Sequence, residues 1–208
     1  MSEVKFDKNR VTGFSDAVFS IAMTLLVLEV VVPSYGTINR TGIWGILAER
    51  IPNFIVFIVS FFVTEFYWID YMKTTKFLTN FNMKVLWINI FLLFFVVLLP
   101  FSTAFYVNGI NFIGPFVFYS INLSLIALMI LLMIYAVAKK EKGETGLSKF
   151  YRNREAAKML NTMIVWILAA GLAFFTITLA RGVFILIFII NPLIDRHYKK
   201  KIARESVD

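Results

Sequence analysis

The chain has 208 residues, of which 59% are hydrophobic and only 16% are charged. A soluble domain is usually about 45–50% apolar and about 25% charged, so this composition indicates an integral membrane protein. The chain has no cysteine and a single histidine, His197. Disulfides, thiolate metal sites and histidine-based metal clusters or catalytic triads are therefore excluded.

The first predicted element is a membrane span at about residues 13–32, which Pro33 ends. It is apolar apart from a few polar positions, and about 20 apolar residues suffice to cross a bilayer as a helix. An ionised Asp16 is costly in or beside hydrocarbon, so this helix is expected to face protein or water rather than lipid. Asp16 and Ser20 lie on one strip of the helix, where they could bond to a neighbouring helix.

A second strip of the same helix carries apolar side chains and one hydroxyl. At 100° per residue it contains Ala17, Ile21, Thr24, Leu25 and Leu28. Periodicity alone favours ordinary helix packing for this stripe. Thr24 could simply bond to a carbonyl of its own helix, which is common for threonine inside helices.

Five further spans are predicted, at about residues 51–71, 85–106, 115–138, 158–175 and 179–195. The whole chain, 1–208, is therefore predicted to be one all-α, polytopic transmembrane domain with six spans. Residues 34–50 are predicted to form a loop or short helix, and residues 139–158 a long hydrophilic loop. The apolar run 159–194 is too long for one span, and its break is expected near 176–181. Pro100 should kink the third span.

The positive charges favour one side of the predicted topology. With six spans, 18 of the 21 Lys and Arg lie on the side shared by both termini. Only Arg40, Arg50 and Arg181 lie on the other side. The positive-inside rule therefore predicts cytoplasmic N- and C-termini. The net charge of +8 is explained by this topology and by anionic lipid headgroups, and no nucleic-acid partner is predicted.

The first span contains a motif of fixed residue types. Arg10, Phe14, Ser15 and Asp16 form R-x-x-x-F-S-D, followed by A-V-F-S-I-A-M-T-L-L-V-L-E. This pattern resembles the signature of the transmembrane protein 175 family, potassium channels of endolysosomal and prokaryotic membranes. The sequence L-L-P-F-S-T at 98–103 also matches the family, as does Trp68, although Tyr71 stands where the family usually has histidine.

The resemblance implies a potassium-selective leak channel in the cell membrane, assembled as a homotetramer around a pore lined by the first helix. Ile21, Leu25 and Leu28 match the family's pore constriction, which acts as gate and filter, and Thr24 matches a pore-facing hydroxyl. Potassium ions would be held transiently at the Thr24 and Ile21 rings. The structural polar network is matched by Arg10, Phe14, Ser15, Asp16 and Trp68. The implied partners are further copies of the chain, membrane lipids and potassium ions, without a cofactor.

The residues themselves leave alternatives open. No catalytic motif is present, so the chain is not expected to be an enzyme. The alternative function is a proton-coupled secondary transporter or a proton-permeable channel, with Asp16, Glu65 and Pro100 as coupling and hinge residues. A non-conducting scaffold is a third possibility. Glu29 is expected at the outer headgroup level, and no carbonyl filter of the T-V-G-Y-G type is present.

Overall fold

The computed structural model describes residues 5–29, 35–140 and 149–205. Within them the chain forms seven helices and two three-residue strands. The elements in chain order are β1 (Lys5–Asp7), α1 (Lys8–Leu26), a 3-10 turn (Val27–Glu29), α2 (Tyr35–Thr75), β2 (Asn80–Asn82), α3 (Met83–Asn108), α4 (Ile113–Lys140), α5 (Lys149–Leu172), α6 (Ile177–Gly182) and α7 (Ile185–Glu205). The protein is therefore an all-α membrane protein with a small β-ribbon at one end.

Helix starts are set by side-chain caps. The carboxylate of Asp7 accepts a hydrogen bond from the backbone amide of Arg10 at 2.9 Å, and Asn82 accepts one from Val85 at 2.9 Å. Such caps satisfy amides that have no partner within the helix. The two capping residues also end β1 and β2, which pair antiparallel with Phe6 opposite Phe81. The ribbon thereby ties the starts of α1 and α3 together at one end of the bundle.

Helix α4 lies at the centre of the packing. It contacts α2, α3 and α5, whereas α1 packs on α2 and α3, and α7 packs on α5. Its fully buried side chains include Leu123, Ile126 and Ile130. Among the described residues, four helical segments are long and apolar enough to cross a membrane: Asn53–Thr75, Met83–Asn108, Ile113–Ala138 and Tyr151–Leu172.

Two predicted loops differ from the structure. The described residues 35–50, expected to be a loop or short helix, form the first part of α2 and continue directly into the predicted second span. The second half of the predicted hydrophilic loop, 149–158, is the start of α5. At α5 the carboxylate of Glu155 pairs with Lys158 at 2.8 Å, three residues further on, a spacing that favours a helix.

The last part of the chain also differs in detail. Helix α5 ends at Leu172, the short α6 (Ile177–Gly182) overlaps the expected break, and α7 begins at Ile185 and continues to Glu205. The basic stretch from His197 to Glu205 continues α7. At the start of the chain, α1 begins at Lys8 rather than near residue 13. Pro33 lies outside the described residues.

Candidate functional site: the two faces of the first helix

Helix α1 has one buried face. Ser15, Phe19 and Leu26 are fully buried and Ala22 is 2% exposed. These residues follow the i, i+4, i+7, i+11 spacing of one helical face, and the helix packs on α2 and α3. The ring of Phe19 contacts the buried ring of Tyr71 on α2 at a centroid distance of 5.8 Å. This seam fixes the rotation of α1 in the subunit.

The opposite face of α1 is exposed in the single chain. Ile21 is 58%, Leu25 is 41% and Leu28 is 70% exposed. Ala17 and Thr24 share this exposure. The five residues are those of the stripe identified in the sequence, and we call them the α1 stripe. Because the seam holds the opposite face inside the bundle, the α1 stripe is presented to the surroundings of the chain.

Thr24 lies in the middle of the α1 stripe. Its hydroxyl donates a hydrogen bond to the carbonyl of Ile21 at 2.8 Å. The bond to its own helix, considered from the sequence, is therefore present. It uses the hydroxyl hydrogen and leaves lone pairs on the oxygen. The oxygen of Thr24 can therefore accept a hydrogen bond from water or coordinate a hard cation.

Asp16 is joined to α2 by a direct hydrogen bond. The indole nitrogen of Trp68 donates to Oδ1 of Asp16 at 2.9 Å, in partly buried surroundings. A hydrogen bond to an ionised group is stronger than one between neutral groups. The contact brings together two of the residues expected in the polar network, although 52 residues separate them in the chain.

Ser15 is joined to α3 through a residue that sequence reasoning missed. The amide of Asn89 donates to the Ser15 hydroxyl at 3.0 Å, and that hydroxyl donates to the Val11 carbonyl at 2.9 Å. Asn89 is only 2% exposed. The sequence did contain a signal for this contact, since Asn89 is a lone amide inside a long apolar run. Polar side chains in membrane helices commonly bond across helices. The buried hydroxyl of Tyr71 interacts with the Ser15 hydroxyl without reaching good hydrogen-bond geometry.

The structure does not bring Arg10 and Phe14 into this network within the subunit. Phe14 is 67% exposed, and Arg10 is also exposed. For Arg10 the described hydrogen bond is that of its backbone amide to Asp7. At 100° per residue both positions continue the α1 stripe towards the start of the helix. Their side chains therefore face the surroundings of the subunit.

The remaining acidic residues to consider are Glu65, Glu29 and Asp70. Glu65 is half-buried on α2, and the side chain of Glu29 lies outside the described residues. Asp70 pairs with Lys73 at 2.9 Å. Across the described part of the chain, His, Asp and Glu form no group of three or more that could hold a metal ion.

A buried polar belt crosses the middle of the bundle. The hydroxyls of Ser60 and Tyr119 lie 3.0 Å apart, and Thr103 donates to Ser60 at 3.3 Å. The amide of Asn122 donates to the Phe95 carbonyl at 3.2 Å, within the helical turn that precedes Pro100. Pro100 removes the helical hydrogen bond to the carbonyl of Val96, the residue after Phe95, so Asn122 links α4 to α3 beside that break. This belt holds α2, α3 and α4 together.

These features define a class of protein, an integral membrane protein built from packed helices, whose first helix carries both a polar anchor and an exposed apolar stripe. Comparison with protein families matches residues 10–100 to the family described as endosomal/lysosomal potassium channel TMEM175. The match begins at Arg10, the first residue of the motif. The family resemblance that the motif predicts is thereby confirmed.

Curated relatives support the same family. A protein named as a potassium channel of Chryseobacterium sp. (strain P1-3) is 26% identical over 94% of this chain and 97% of that protein. Potassium channels of Streptomyces collinus and Chamaesiphon minutus are 31% and 32% identical, each over 47% of this chain. For these two, the match spans about half of the relative's length.

Solved structures share the fold. A crystal structure of a lysosomal potassium-selective channel TMEM175 homolog from Chamaesiphon minutus has a TM-score of 0.77, covering 92% of this chain and 97% of that one at 22% identity. A variant of the potassium channel MtTMEM175, bound to a nanobody fusion protein, has a TM-score of 0.64 at 20% identity, covering 92% of this chain and 93% of that one. At these identities the likeness shows a common fold.

Proposed function

We propose that the chain is a subunit of a potassium-selective leak channel in the cell membrane, a homotetramer with α1 at its axis. The observation that carries the proposal is the division of α1 into a face locked inside the subunit and the exposed α1 stripe. Four copies that present this stripe to a common axis would line a pore with it. The relatives, which are named as potassium channels, support the same function.

In this proposal the rings of Ile21, Leu25 and Leu28 form the constriction. An apolar ring narrower than a hydrated ion forces dehydration and closes by dewetting. Potassium releases its water more readily than sodium, so such a ring favours potassium. The oxygen of Thr24, with its hydrogen held by the Ile21 carbonyl at 2.8 Å, supplies a transient site for the ion between the rings.

A small apolar notch beside the α1 stripe fits this assembly. It has a volume of about 110 Å³ and lies between α1 and α3, lined by Val18, Ile21, Ala22, Leu25 and Val97. A notch of this size accepts one or two methyl groups of a neighbouring helix. We propose that adjacent copies of α1 meet there, with the apolar side chain of one copy seated against the next.

The proposed topology has six spans and cytoplasmic termini. The four apolar segments described above, together with α1 and the α6–α7 region, supply the six. The positive-inside bias of 18 in 21 cations supports the orientation. The structural role of Asp16 and Trp68 is then to fix α1 against α2 near the cytoplasmic end of the pore.

Flux into liposomes tests the function directly. We expect the reconstituted protein to pass potassium down its gradient faster than empty vesicles. An Ile21→Asn variant should let water remain on the ion and lower the preference for potassium over sodium by about tenfold, which corresponds to ~1.4 kcal/mol. Ile121→Asn, at a 47% exposed position of α4 that does not line the notch, is the matched control.

Three outcomes would contradict the proposal. Potassium flux equal to that of empty vesicles would exclude a channel. An Ile21→Asn variant with unchanged ion preference would exclude Ile21 as the filter. Slow, saturable flux that requires a proton gradient and depends on Asp16 would indicate the alternative, a proton-coupled transporter, and a reversal potential that follows protons alone would indicate a proton channel.

A further inference from the structure

A groove runs between α2 and α7, away from the α1 stripe. Its walls include Val63, Phe66 and Asp70 on α2 and Phe188, Asn191 and Asp195 on α7. We call it the α2–α7 groove. Helix α7 packs on α5, and the rings of Phe66 and Phe188 meet edge to face across the groove at 5.6 Å. The cavity there has a volume of about 230 Å³.

The groove continues into a second, purely apolar cavity. This cavity of about 240 Å³ shares Val63, Phe66, Phe184 and Phe188 with the first and adds Ile58 and Phe62. Phe62 is 53% exposed. This part of α2 belongs to a segment apolar enough to cross the membrane. The body of the α2–α7 groove therefore lies at the depth of lipid chains and offers them an apolar surface.

One end of the groove is charged. This end lies where α2 stops, on the side of the bundle that carries β1 and β2. Three cations and three carboxylates gather there, which we call the mouth cluster: Asp70, Lys73, Arg154, Glu155, Lys158 and Asp195. Its formal charge sums to zero, so it gives no general preference for an anion.

Two members of the mouth cluster remain available to a ligand. The side chain of Lys73, on the α2 wall, is 41% exposed. The side chain of Asp195, on the α7 wall, is 39% exposed, and its Oδ1 lies 3.4 Å from Lys158 and 3.6 Å from Arg154. Both cations are closer to Glu155, at 2.7 and 2.8 Å. Asp195 is therefore the less completely neutralised carboxylate.

We propose that the α2–α7 groove binds one phospholipid with a dipolar, amine-bearing head group of the phosphoethanolamine type. An acyl chain lies along the apolar walls. The phosphate contacts the ammonium of Lys73, and the primary ammonium of the head group donates to Asp195. A choline head group has no N–H to donate, so it makes the first contact without the second.

The charge pattern favours this lipid over other occupants. A free phosphate would meet as many carboxylates as cations and leave the apolar body empty. A lipid with a purely anionic head would place no cation against Asp195. A second copy of the chain would have to bring both an apolar ridge and a matching charge pair to the same groove.

Competition between lipids tests the proposal in the full-length protein. The detergent-solubilised protein is supplied with equal amounts of phosphatidylethanolamine, phosphatidylcholine and phosphatidylglycerol, and retained lipid is measured by native mass spectrometry. We expect phosphatidylethanolamine to be retained preferentially. The preference for phosphatidylethanolamine over phosphatidylcholine should be about two- to fivefold, the size of one exposed charge contact. Asp195→Asn should abolish this preference. Lys73→Gln should lower retention of all three lipids.

Matched controls lie just outside the groove. Lys76 comes directly after α2, and Arg196 lies beside Asp195 on an exposed part of α7. Neither Lys76→Gln nor Arg196→Gln should change lipid retention. Ile187→Trp, which adds bulk to a lining position, should lower retention of every lipid regardless of head group. Thermal unfolding of each variant separates loss of the site from loss of the fold.

The same site can be tested in a bilayer. The chain has no cysteine, so Phe62→Cys carries a single fluorescent label at the groove. Lipids with brominated chains should quench it, and brominated phosphatidylethanolamine more than brominated phosphatidylcholine. An unquenched label would mean that a second copy fills the groove, and equal retention of the three lipids by the unmodified protein would mean a non-selective lipid surface. Either result would overturn the proposal.

Discussion

Helices α1 and α4 are both predicted from apolar runs, yet the structure uses them in opposite ways. Helix α4 contacts α2, α3 and α5 and buries most of its side chains. Helix α1 contacts α2 and α3 and leaves the α1 stripe exposed. The apolar residues of the two helices are of the same kinds, but α4 has more neighbouring helices to cover them.

This difference teaches that apolar content alone does not show what a membrane helix faces. In lipid, an exposed isoleucine costs little, so the exposure of Ile21 has no thermodynamic penalty that marks it. The polar residues carry the information instead. Asp16 and Ser15 face inward and bond to Trp68 and Asn89, and they fix which side of α1 remains outside. The exposed α1 stripe is thus defined by the anchors opposite to it.

The largest expected effect is a difference in the unfolding free energy lost when an isoleucine of α4 or of α1 is replaced by alanine. Ile130 on α4 is fully buried, whereas Ile21 is 58% exposed. Replacing Ile130 by alanine should lower the free energy of unfolding by about 2–4 kcal/mol, because a cavity is left in a packed core. Ile21→Ala, the same deletion, should lower it by less than about 0.5 kcal/mol, as for most changes away from the core.

Unfolding of the detergent-solubilised subunit with SDS measures both variants. The wild-type protein and Ile21→Ala are expected to unfold at the same SDS concentration. Ile130→Ala should unfold at a much lower one. Equal losses for the two alanine variants would show that the α1 stripe is packed as tightly as the core of α4. That result would remove the basis for placing the stripe at a pore.

Much of the helical architecture was predictable because long apolar runs have few structural alternatives in a membrane. Helices α3 and α4 begin and end within a few residues of their predicted spans. The start of α2 was missed because this stretch contains Gly36, Gly42 and Gly45 and glycine is common in loops, whereas the described helix passes through all three. The β1–β2 ribbon was missed because three-residue strands have no measurable period.

The candidate site was predictable in part. The stripe followed from the 3.6-residue period, and the family resemblance placed Asp16 and Trp68 in one polar network without specifying that the two bond to each other. Asn89 was missed because its partner, Ser15, is 74 residues away, and no local pattern encodes such a contact. The exposure of Phe14 was also unexpected, since a motif residue invites a buried role. Its position at the end of the α1 stripe explains why it faces outward.

A smaller effect is expected at the polar anchor of α1. Trp68→Phe keeps an aromatic ring but removes the donor to Asp16, whose hydrogen bond measures 2.9 Å. Losing a hydrogen bond to a charged group should cost about 1.5–3 kcal/mol. Trp87→Phe on α3 is the matched control, because the side chain of Trp87 is 54% exposed. Thermal unfolding should separate the two variants, and an equal response would mean that the Asp16 contact contributes no net stability.

The smallest expected effect concerns the hydroxyl of Thr24, the one polar group of the α1 stripe. Thr24→Val keeps the shape of the side chain and removes the oxygen, so in the proposed channel potassium would lose one ligand without a change in packing. A weak ligand of about 0.5 kcal/mol corresponds to a two- to threefold fall in potassium flux. Thr24→Ser should keep the flux, since serine can also donate to the Ile21 carbonyl. If Thr24→Val conducts like the wild-type protein, the hydroxyl serves only its own helix, and the constriction must select potassium through apolar side chains alone.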